Sequence, residues 1–350
     1  MTTQDLYDID GEYNQYDWYD EKCYYRNKYE IVNNLHILKP LTSEKTLWAH
    51  AKLLGALLNS NVVGTEFITN PDIGEIINYV KNIPNLNTRA NTACAISLLY
   101  QTYPSSSLNI NVVYEMRELI TTTKIAIDLE SDKNKKTEVQ EQNWVSHKQI
   151  QTLIKKQIEV SIEIMNNGFS GKKSTVKQVQ SCIIQCLYML DPENPPVRCD
   201  YCMKVLYGTQ RISAFCGSNE KQNYLLVNSN SMTFVFNTYK TKKYYGRKIF
   251  RVGDQLYPIL KLWLKYKSNP VDLLENTRNA PLNPNNLGKY ISDAFAPLNK
   301  KLTVDTLRHI FISDRVNLGN SKKYAQLMMH SRSEQSVYWK NQDENYFISS

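Results

Sequence analysis

YLLVNSNSMTFVFNTYKTKKYYGRKIFRV, residues 224–252, departs from the helical periodicity of the sequence around it. β-Branched and aromatic residues concentrate at 224–227, 232–238 and 247–252, and polar or glycine-containing segments separate the three runs. Runs of this composition between turn residues are typical of strands joined by hairpins. The stretch therefore predicts a meander of three antiparallel strands with a cationic tip.

Helical spacing of apolar residues returns on both sides of this meander. Before it, the pattern is clearest in EKTLWAHAKLLGALL, PDIGEIINYVKNI, NTRANTACAISLLYQTY and NVVYEMRELITTTKIAI; after it, in QLYPILKLWLKYK, NNLGKYISDAF and TVDTLRHIFISDRV. The fold prediction is an all-α domain followed by an α+β domain that is mainly helical and carries the three-stranded sheet.

A chain of 350 residues is longer than one hydrophobic core usually organises, so two domains are expected. The polar run LESDKNKKTEVQEQN contains the best linker, placed at residues 131–142. The boundaries that follow are a Tyr-rich acidic arm at 1–45, a helical domain at 46–130 and the mixed domain at 143–350.

Charge is unevenly distributed along the chain. Residues 1–30 hold eight Asp or Glu and three Lys or Arg, a net charge of −5. Because the whole chain carries +8, the residues after position 30 carry +13. This excess of positive charge after residue 30 favours the binding of a polyanion such as nucleic acid. A surface that only keeps the protein soluble would have the same composition.

Composition also limits location and redox state. No stretch reaches the roughly 20 apolar residues that span a bilayer, and the N-terminus lacks a signal-peptide pattern. The expectation is an intracellular protein without a membrane partner. Seven cysteines, an odd number, predict free thiols and no disulfide framework.

Five residues of the second domain form an ordered set. Arg198 lies in NPPVRCDYC, Lys240 in NTYKTKK, Arg308 in DTLRHIF and His330 in MMHS, with Tyr338 eight residues later. This order and spacing resembles the catalytic domain of tyrosine recombinases, the phage-integrase superfamily, and the helical domain before it resembles their core-binding domain. The forms PPVRCDY and QEQNWVS most resemble recombinases of large DNA viruses and their mobile elements.

The resemblance implies a role for each of the five. Tyr338 would be the nucleophile that stores a DNA phosphodiester as a covalent ester, Arg198 and Arg308 would hold the non-bridging oxygens, His330 would add a hydrogen bond, and Lys240 would protonate the leaving 5′ oxygen. Arginine forks suit phosphate, and phosphoryl transfer depends mainly on positioning and cations. No metal and no cofactor is expected.

Supporting roles fall to three neighbours. Asp200 would orient Arg198 through an ion pair. His309 is either a supporting residue or a core histidine. Asp305 stands where the family usually has His, three residues before the second Arg, and a carboxylate there would repel the phosphate unless it is turned away or paired. Predicted DNA-binding residues are Lys242, Lys243, Arg247 and Arg89.

Each residue also has a simpler interpretation. Arg198 alone resembles a surface ion-pairing residue, and His330 alone a helix C-terminal cap. Arg308 is expected to be buried, because Leu307, Ile310 and Phe311 mark a buried face, and a buried Arg is rarely left without an anionic partner. Tyr338 competes with Tyr346 if the register is shifted. Cys199 and Cys202 form a CxxC, but zinc needs four ligands, and the nearby third is Cys216, with no histidine in range.

The function implied is site-specific recombination or integration through a covalent 3′-phosphotyrosine intermediate. Double-stranded DNA would be the partner, with a homotetramer on paired sites. The location would be at DNA, in the host nucleus or a viral factory if the protein is viral. Two alternatives stay open: strand relaxation like that of type IB topoisomerases, and a DNA-binding protein that has lost catalysis.

Overall fold

A computed structural model describes residues 32, 33, 35–37, 42, 44–58, 72–102, 107–132, 134–168, 172–208, 221–317 and 319–340. The chain divides into two compact units, and the second begins at Asn134. Most of the predicted arm, residues 1–31, lies outside the described residues. In the described part of the chain, no helix is both long enough and apolar enough to cross a membrane.

The first unit is helical, as its periodicity predicts. Its helices are α1 (Glu44–Leu58), α2 (Ile73–Lys81), α3 (Leu86–Thr102) and α4 (Ser107–Asp132). Asp72 begins α2 because its carboxylate accepts from the amide of Glu75 at 3.0 Å. Val32 and Leu35, which the sequence assigned to the arm, are buried in the core of this unit.

Arg89, a predicted DNA-binding residue, is engaged within the first unit. Its Nε and Nη2 donate to the carbonyl of Ile83 at 3.0 and 2.8 Å. The carbonyl belongs to the turn between α2 and α3, so this guanidinium stabilises the turn and offers DNA only its remaining donors.

The second unit is mainly helical with one small sheet. Its helices are α5 (Glu138–Asn143), α6 (His147–Asn166), α7 (Lys173–Met189), α8 (Lys242–Tyr245), α9 (Tyr257–Tyr266), α10 (Pro284–Ala294), α11 (Val304–Arg315), α12 (Ser321–Leu327) and α13 (Arg332–Tyr338). Its strands are β1 (Met203–Tyr207), β2 (Asn223–Val227), β3 (Met232–Phe236) and β4 (Lys248–Arg251). The predicted linker at 131–142 thus includes the end of α4 and most of α5.

The sheet corrects one part of the predicted fold class. β2, β3 and β4 are the three predicted strands, and they pair antiparallel in that order. A fourth strand, β1, pairs parallel with β2, which makes the sheet mixed and four-stranded instead of three-stranded and antiparallel. The reason is that MKVLY is too short, and its Lys and Tyr too ambiguous, to mark a strand without its partner.

A buried carboxylate fixes the turn that follows the sheet. Asp191, only 4% exposed, accepts from the amides of Glu193, Gln255 and Leu256 at 2.9, 2.9 and 3.3 Å. Gly253 donates its own amide to Asn194 Oδ1 at 2.6 Å and lies so close to Asp191 that a Cβ would overlap the carboxylate. This contact joins the end of β4 to the loop that precedes Arg198.

We expect Gly253→Ala to lower the free energy of unfolding by roughly 1–3 kcal/mol, because the added methyl displaces a carboxylate held by three amides. Gly288→Ala is the matched control, since a Cβ at that position in α10 meets nothing within 4 Å. The control should gain about 0.5–1 kcal/mol from helix propensity. Urea unfolding of both variants measures the difference, and equal stabilities would contradict the close contact between Gly253 and the Asp191 carboxylate.

Candidate active site

Arg308 is the centre of the candidate site. It lies on α11, whose first turn is capped by Thr303, and it is flanked by buried Leu307 and Ile310. The burial predicted from these neighbours is confirmed, because the side chain is 0% exposed. Nη1 donates to the carbonyl of Pro196 at 2.9 Å, and Nη2 contacts His330 Nδ1 at 2.9 Å.

No carboxylate forms an ion pair with Arg308 among the residues that the structure describes. Its Nε has no hydrogen-bond partner there either. A buried guanidinium that forms no close ion pair is suited to an incoming anion.

His330 lies between α12 and α13 with a defined tautomer. Because an arginine can only donate, the contact with Nη2 requires His330 Nδ1 to be an unprotonated acceptor. Burial, followed by the positive charges of Arg308 and Arg198, lowers the pKa of His330 to about 3. The neutral ring therefore carries its proton on Nε2, a buried donor with no partner in the described chain. The side chain is 3% exposed, so it is not a solvated helix cap.

Tyr338 ends α13 and packs directly on this pair. Its ring centroid lies 4.6 Å from Arg308 Cζ and 5.6 Å from the ring of His330, and the residue is 7% exposed. His309 Nδ1 donates to the backbone carbonyl of Tyr338 at 2.8 Å, and the two rings are 4.9 Å apart. His309 therefore holds the end of the helix that carries Tyr338.

The hydroxyl of Tyr338 donates to Asp305 Oδ1 at 3.4 Å. Asp305 lies in the first turn of α11, one turn before Arg308, and is exposed. Its carboxylate thus faces the phenol. The structure brings together Asp305, Arg308, His309, His330 and Tyr338.

Arg198 joins this group through α13. Its Nη2 lies 2.9 Å from Glu334 Oε1, one turn before Tyr338. The ion-pair partner is therefore Glu334, where the sequence predicted Asp200. Asp200 is partly buried nearby; burial raises its pKa to about 6, against the charges of Arg198 and Arg308, which lower it.

Lys240 makes no bond to this group in the described chain. Its side chain is exposed, and in the described chain no hydrogen bond or ion pair joins its ammonium to the residues above. The next residue, Thr241, donates its hydroxyl to the carbonyl of Met329 at 2.6 Å. The turn that carries Lys240 therefore lies against the loop that carries His330.

The other predicted cations occupy the connection from β3 to β4. Lys242 and Lys243 lie in α8, and Lys243 is exposed. Arg247 Nε donates to Asn237 Oδ1 at 2.6 Å, which fixes this guanidinium to the sheet. Together with Lys240, these residues form a basic projection.

Two residues that contact the candidate site were not predicted from the sequence. Glu334 reads from sequence as a helix-start residue, because SRSE fits an N-cap followed by Glu at the third position, and Ser331 does cap α13. Its pairing with Arg198 joins residues 136 positions apart. Thr241 carried no signal at all, since its partner is a backbone carbonyl.

The CxxC does not acquire a third ligand in the described chain. Burial raises the pKa of Cys202 to about 12, so its thiolate is disfavoured. Cys216 lies outside the described residues. Across the described ranges, no group of three or more His, Cys, Asp or Glu is placed to hold a metal.

The chain is similar to a solved structure of a known protein. No family model matches the chain, and no curated protein matches it. Among solved structures, the crystal structure of XerA recombinase is similar at 15% identity and a TM-score of 0.33, with 90% of this chain and 95% of that chain covered. At this TM-score the similarity does not establish the function of this chain.

Proposed function

We propose that this protein is a tyrosine-type site-specific DNA recombinase that cleaves and rejoins strands through a covalent 3′-phosphotyrosine at Tyr338. The single observation that carries the proposal is the packing of the Tyr338 ring on Arg308, a fully buried guanidinium with no carboxylate partner in the described chain. The ordered set of five residues in the sequence agrees with it.

A phosphodiester fits this site chemically. Arg308 Nε has no hydrogen-bond partner in the part of the chain that the structure describes, and His330 Nε2 is a second buried donor in the same cluster. A phosphate bound there would supply the missing negative charge, and two nitrogen donors would bind its non-bridging oxygens. Donors that are held in place before the reaction are the main source of catalysis in phosphoryl transfer.

Arg198 would also bind the phosphate, once its ion pair with Glu334 has been replaced. In the DNA-free protein it is bound to Glu334, and the pair is partly exposed, at 22% and 45% for the two side chains. An exposed ion pair is worth little, so a phosphate that binds bidentately would replace Glu334 at small cost.

Lys240 would protonate the leaving 5′ oxygen. Its exposed side chain lies on the basic projection, and the Thr241–Met329 hydrogen bond keeps the backbone of that projection near His330. An exposed lysine on this projection is compatible with a general acid that acts only on bound DNA.

Covalent trapping tests the proposed function. Nicked duplexes that tile the DNA flanking the coding sequence are incubated with the full chain, so that cleavage near the nick releases a short strand and prevents rejoining. We expect a protein–DNA adduct through a 3′ phosphate that resists denaturant and disappears after proteinase treatment. Failure to form any adduct across the whole set would overturn the proposal and leave a DNA-binding protein.

A second assay separates recombination from strand relaxation. Plasmids carrying two copies of the trapped sequence should recombine, and a tetramer on paired sites should appear as a slower complex in native gels. Relaxation of a supercoiled plasmid without recombinant products would favour the topoisomerase-like alternative. An origin in a virus or mobile element is a further part of the proposal, which the flanking sequence tests.

Duplex DNA affinity should fall by about a hundredfold or more between 50 and 200 mM salt, because several phosphate contacts release counter-ions. Lys243→Gln should lower the slope of log K against log salt by about one. Lys289→Gln, at an exposed position of α10 outside the basic projection, is the control and should leave the slope unchanged. Fluorescence anisotropy measures both slopes, and binding that ignores salt would contradict the electrostatic account.

A further inference from the structure

The hydroxyl of Tyr338 must lose a proton if it attacks phosphorus, and the atom that receives the proton has to be close. The hydrogen bond that the structure gives this hydroxyl leads to Asp305 Oδ1, at 3.4 Å. The distance exceeds the 2.7–2.8 Å typical of a hydroxyl hydrogen bond, as is common for catalytic contacts before substrate binds.

The other groups around Tyr338 are poor proton acceptors. Arg308 has no acceptor atom. His330 Nδ1 is occupied by Arg308, and its Nε2 carries the proton. His309 uses Nδ1 to donate to the carbonyl of Tyr338, and in the described chain the Tyr338 hydroxyl bonds to Asp305 and not to the other nitrogen of His309. The carboxylate of Asp305 is left as the acceptor in contact with the phenol.

We propose that Asp305 is a catalytic residue that accepts the proton of Tyr338 during strand cleavage, an inference that rests on the proposed function. In this step the Tyr338 Oη–P bond forms, the P–O5′ bond breaks, and the Oη proton passes to Asp305 Oδ1. The leaving 5′ oxygen takes its proton from Lys240 or from water. Rejoining runs the same transfers in reverse.

The exposure of Asp305 suits this role. Tyr338 is buried, whereas Asp305 is exposed at the start of α11, so a proton received by the carboxylate can leave to water. A phenol is about a millionfold weaker as an acid than a carboxylic acid. The transfer therefore accompanies formation of the Oη–P bond and does not precede it.

Repulsion between Asp305 and the phosphate does not prevent this arrangement. Arg308 is one turn away on the same helix, and Arg198 reaches the same group from the loop after α7. Both guanidiniums therefore lie in the same group of residues as Asp305, and the Asp305 carboxylate faces the phenol.

The test measures single-turnover adduct formation on the nicked duplexes for three variants of the full chain. Asp305→Asn keeps the shape but accepts no proton, and should slow adduct formation by about a hundredfold or more with DNA affinity unchanged. Asp305→His restores an acceptor and should recover most of the rate above pH 7. Asp314→Asn, at the other end of α11 and paired with His147 and Arg315, is the control and should match wild type.

The pH profile separates proton acceptance from a structural role. Relative to wild type, Asp305→His should lose about tenfold in the rate of adduct formation for each pH unit below the ordinary histidine pKa near 6.5. Other titrating groups facing the pair are common to all variants: burial lowers the pKa of both His309 and His330, and it raises that of Asp200 to about 6. The difference between profiles therefore reports position 305.

Several outcomes would overturn the inference. If wild type forms the adduct and Asp305→Asn equals or exceeds it, the carboxylate is not the acceptor, although the proposed function survives. An Asp305→His profile identical in shape to wild type leads to the same conclusion. No adduct from wild type or any variant overturns the proposed function itself, and the inference with it. Thermal melting of the variants confirms that each is folded.

Discussion

Tyr338→Phe should abolish the covalent DNA adduct, with a loss of at least 10⁴-fold relative to wild type, while duplex DNA binding stays within about twofold. The substitution removes one oxygen, the atom that attacks phosphorus in the proposed reaction, and no other group can replace it. The ring contacts with Arg308 and His309 persist, so the site keeps its packing.

Tyr338→Phe should hardly change the free energy of unfolding. The hydroxyl makes one long hydrogen bond to an exposed carboxylate, so its loss should cost less than about 1 kcal/mol of unfolding free energy. Tyr324→Phe is the matched control: that tyrosine is also buried and packs on Phe311, with ring centroids 5.4 Å apart. It should form the adduct at the wild-type rate.

Peptide mapping of the wild-type adduct gives the decisive measurement. The modified peptide should contain Tyr338 and exclude Tyr324. Tyr346, the competing candidate from a shifted register, lies outside the described residues, so only the mapping distinguishes it. An adduct that persists in Tyr338→Phe, or maps to Tyr346, would mean that the nucleophile has been misassigned.

The sequence pattern predicted the parts of the fold that depend on local periodicity. The burial of Arg308 followed from Leu307, Ile310 and Phe311 around it, and the strands at 224–252 followed from runs of β-branched and aromatic residues between turns. β1 was missed because its pairing with β2 is parallel and non-local, so nothing within Met203–Tyr207 identifies the partner.

Contacts between residues that are far apart in the sequence could not be predicted, for the same reason. Arg198 has a carboxylate two residues away at Asp200, and this proximity made Asp200 the natural expectation for its partner. The folded chain instead presents Glu334 from α13, because the helix that carries Tyr338 packs beside the loop after α7. Asp305 likewise appeared as an isolated departure until its distance to Tyr338 was known.

Arg308→Lys should lower the rate of adduct formation by about 10²–10³-fold, the second-largest effect expected. The guanidinium reaches Pro196, His330 and the Tyr338 ring at once, and still has Nε for a phosphate oxygen. A lysine ammonium keeps the charge but lacks the planar fork, so it cannot make these contacts together. Removing one such donor from an oxyanion site typically costs 10²–10³-fold in rate.

The same substitution should also destabilise the fold, and the two effects must be separated. A lysine leaves the Pro196 carbonyl or His330 Nδ1 without a donor, which costs roughly 1–3 kcal/mol. Arg315→Lys, the same change at a position in the last turn of α11 with 40% side-chain exposure, should alter neither stability nor rate. Adduct rates are compared at a temperature where melting curves show both variants folded.

The combination of measurements decides where the phosphate binds. Because duplex DNA is held by many contacts, Arg308→Lys should bind it nearly as well as wild type while failing to cleave it, so the defect appears in the reaction step. A folded Arg308→Lys variant that cleaves at the wild-type rate would mean that the buried guanidinium only supports the packing of α13. The phosphate would then have to bind at another group of cations, and the basic projection of Lys240, Lys242 and Lys243 would be the next place to test.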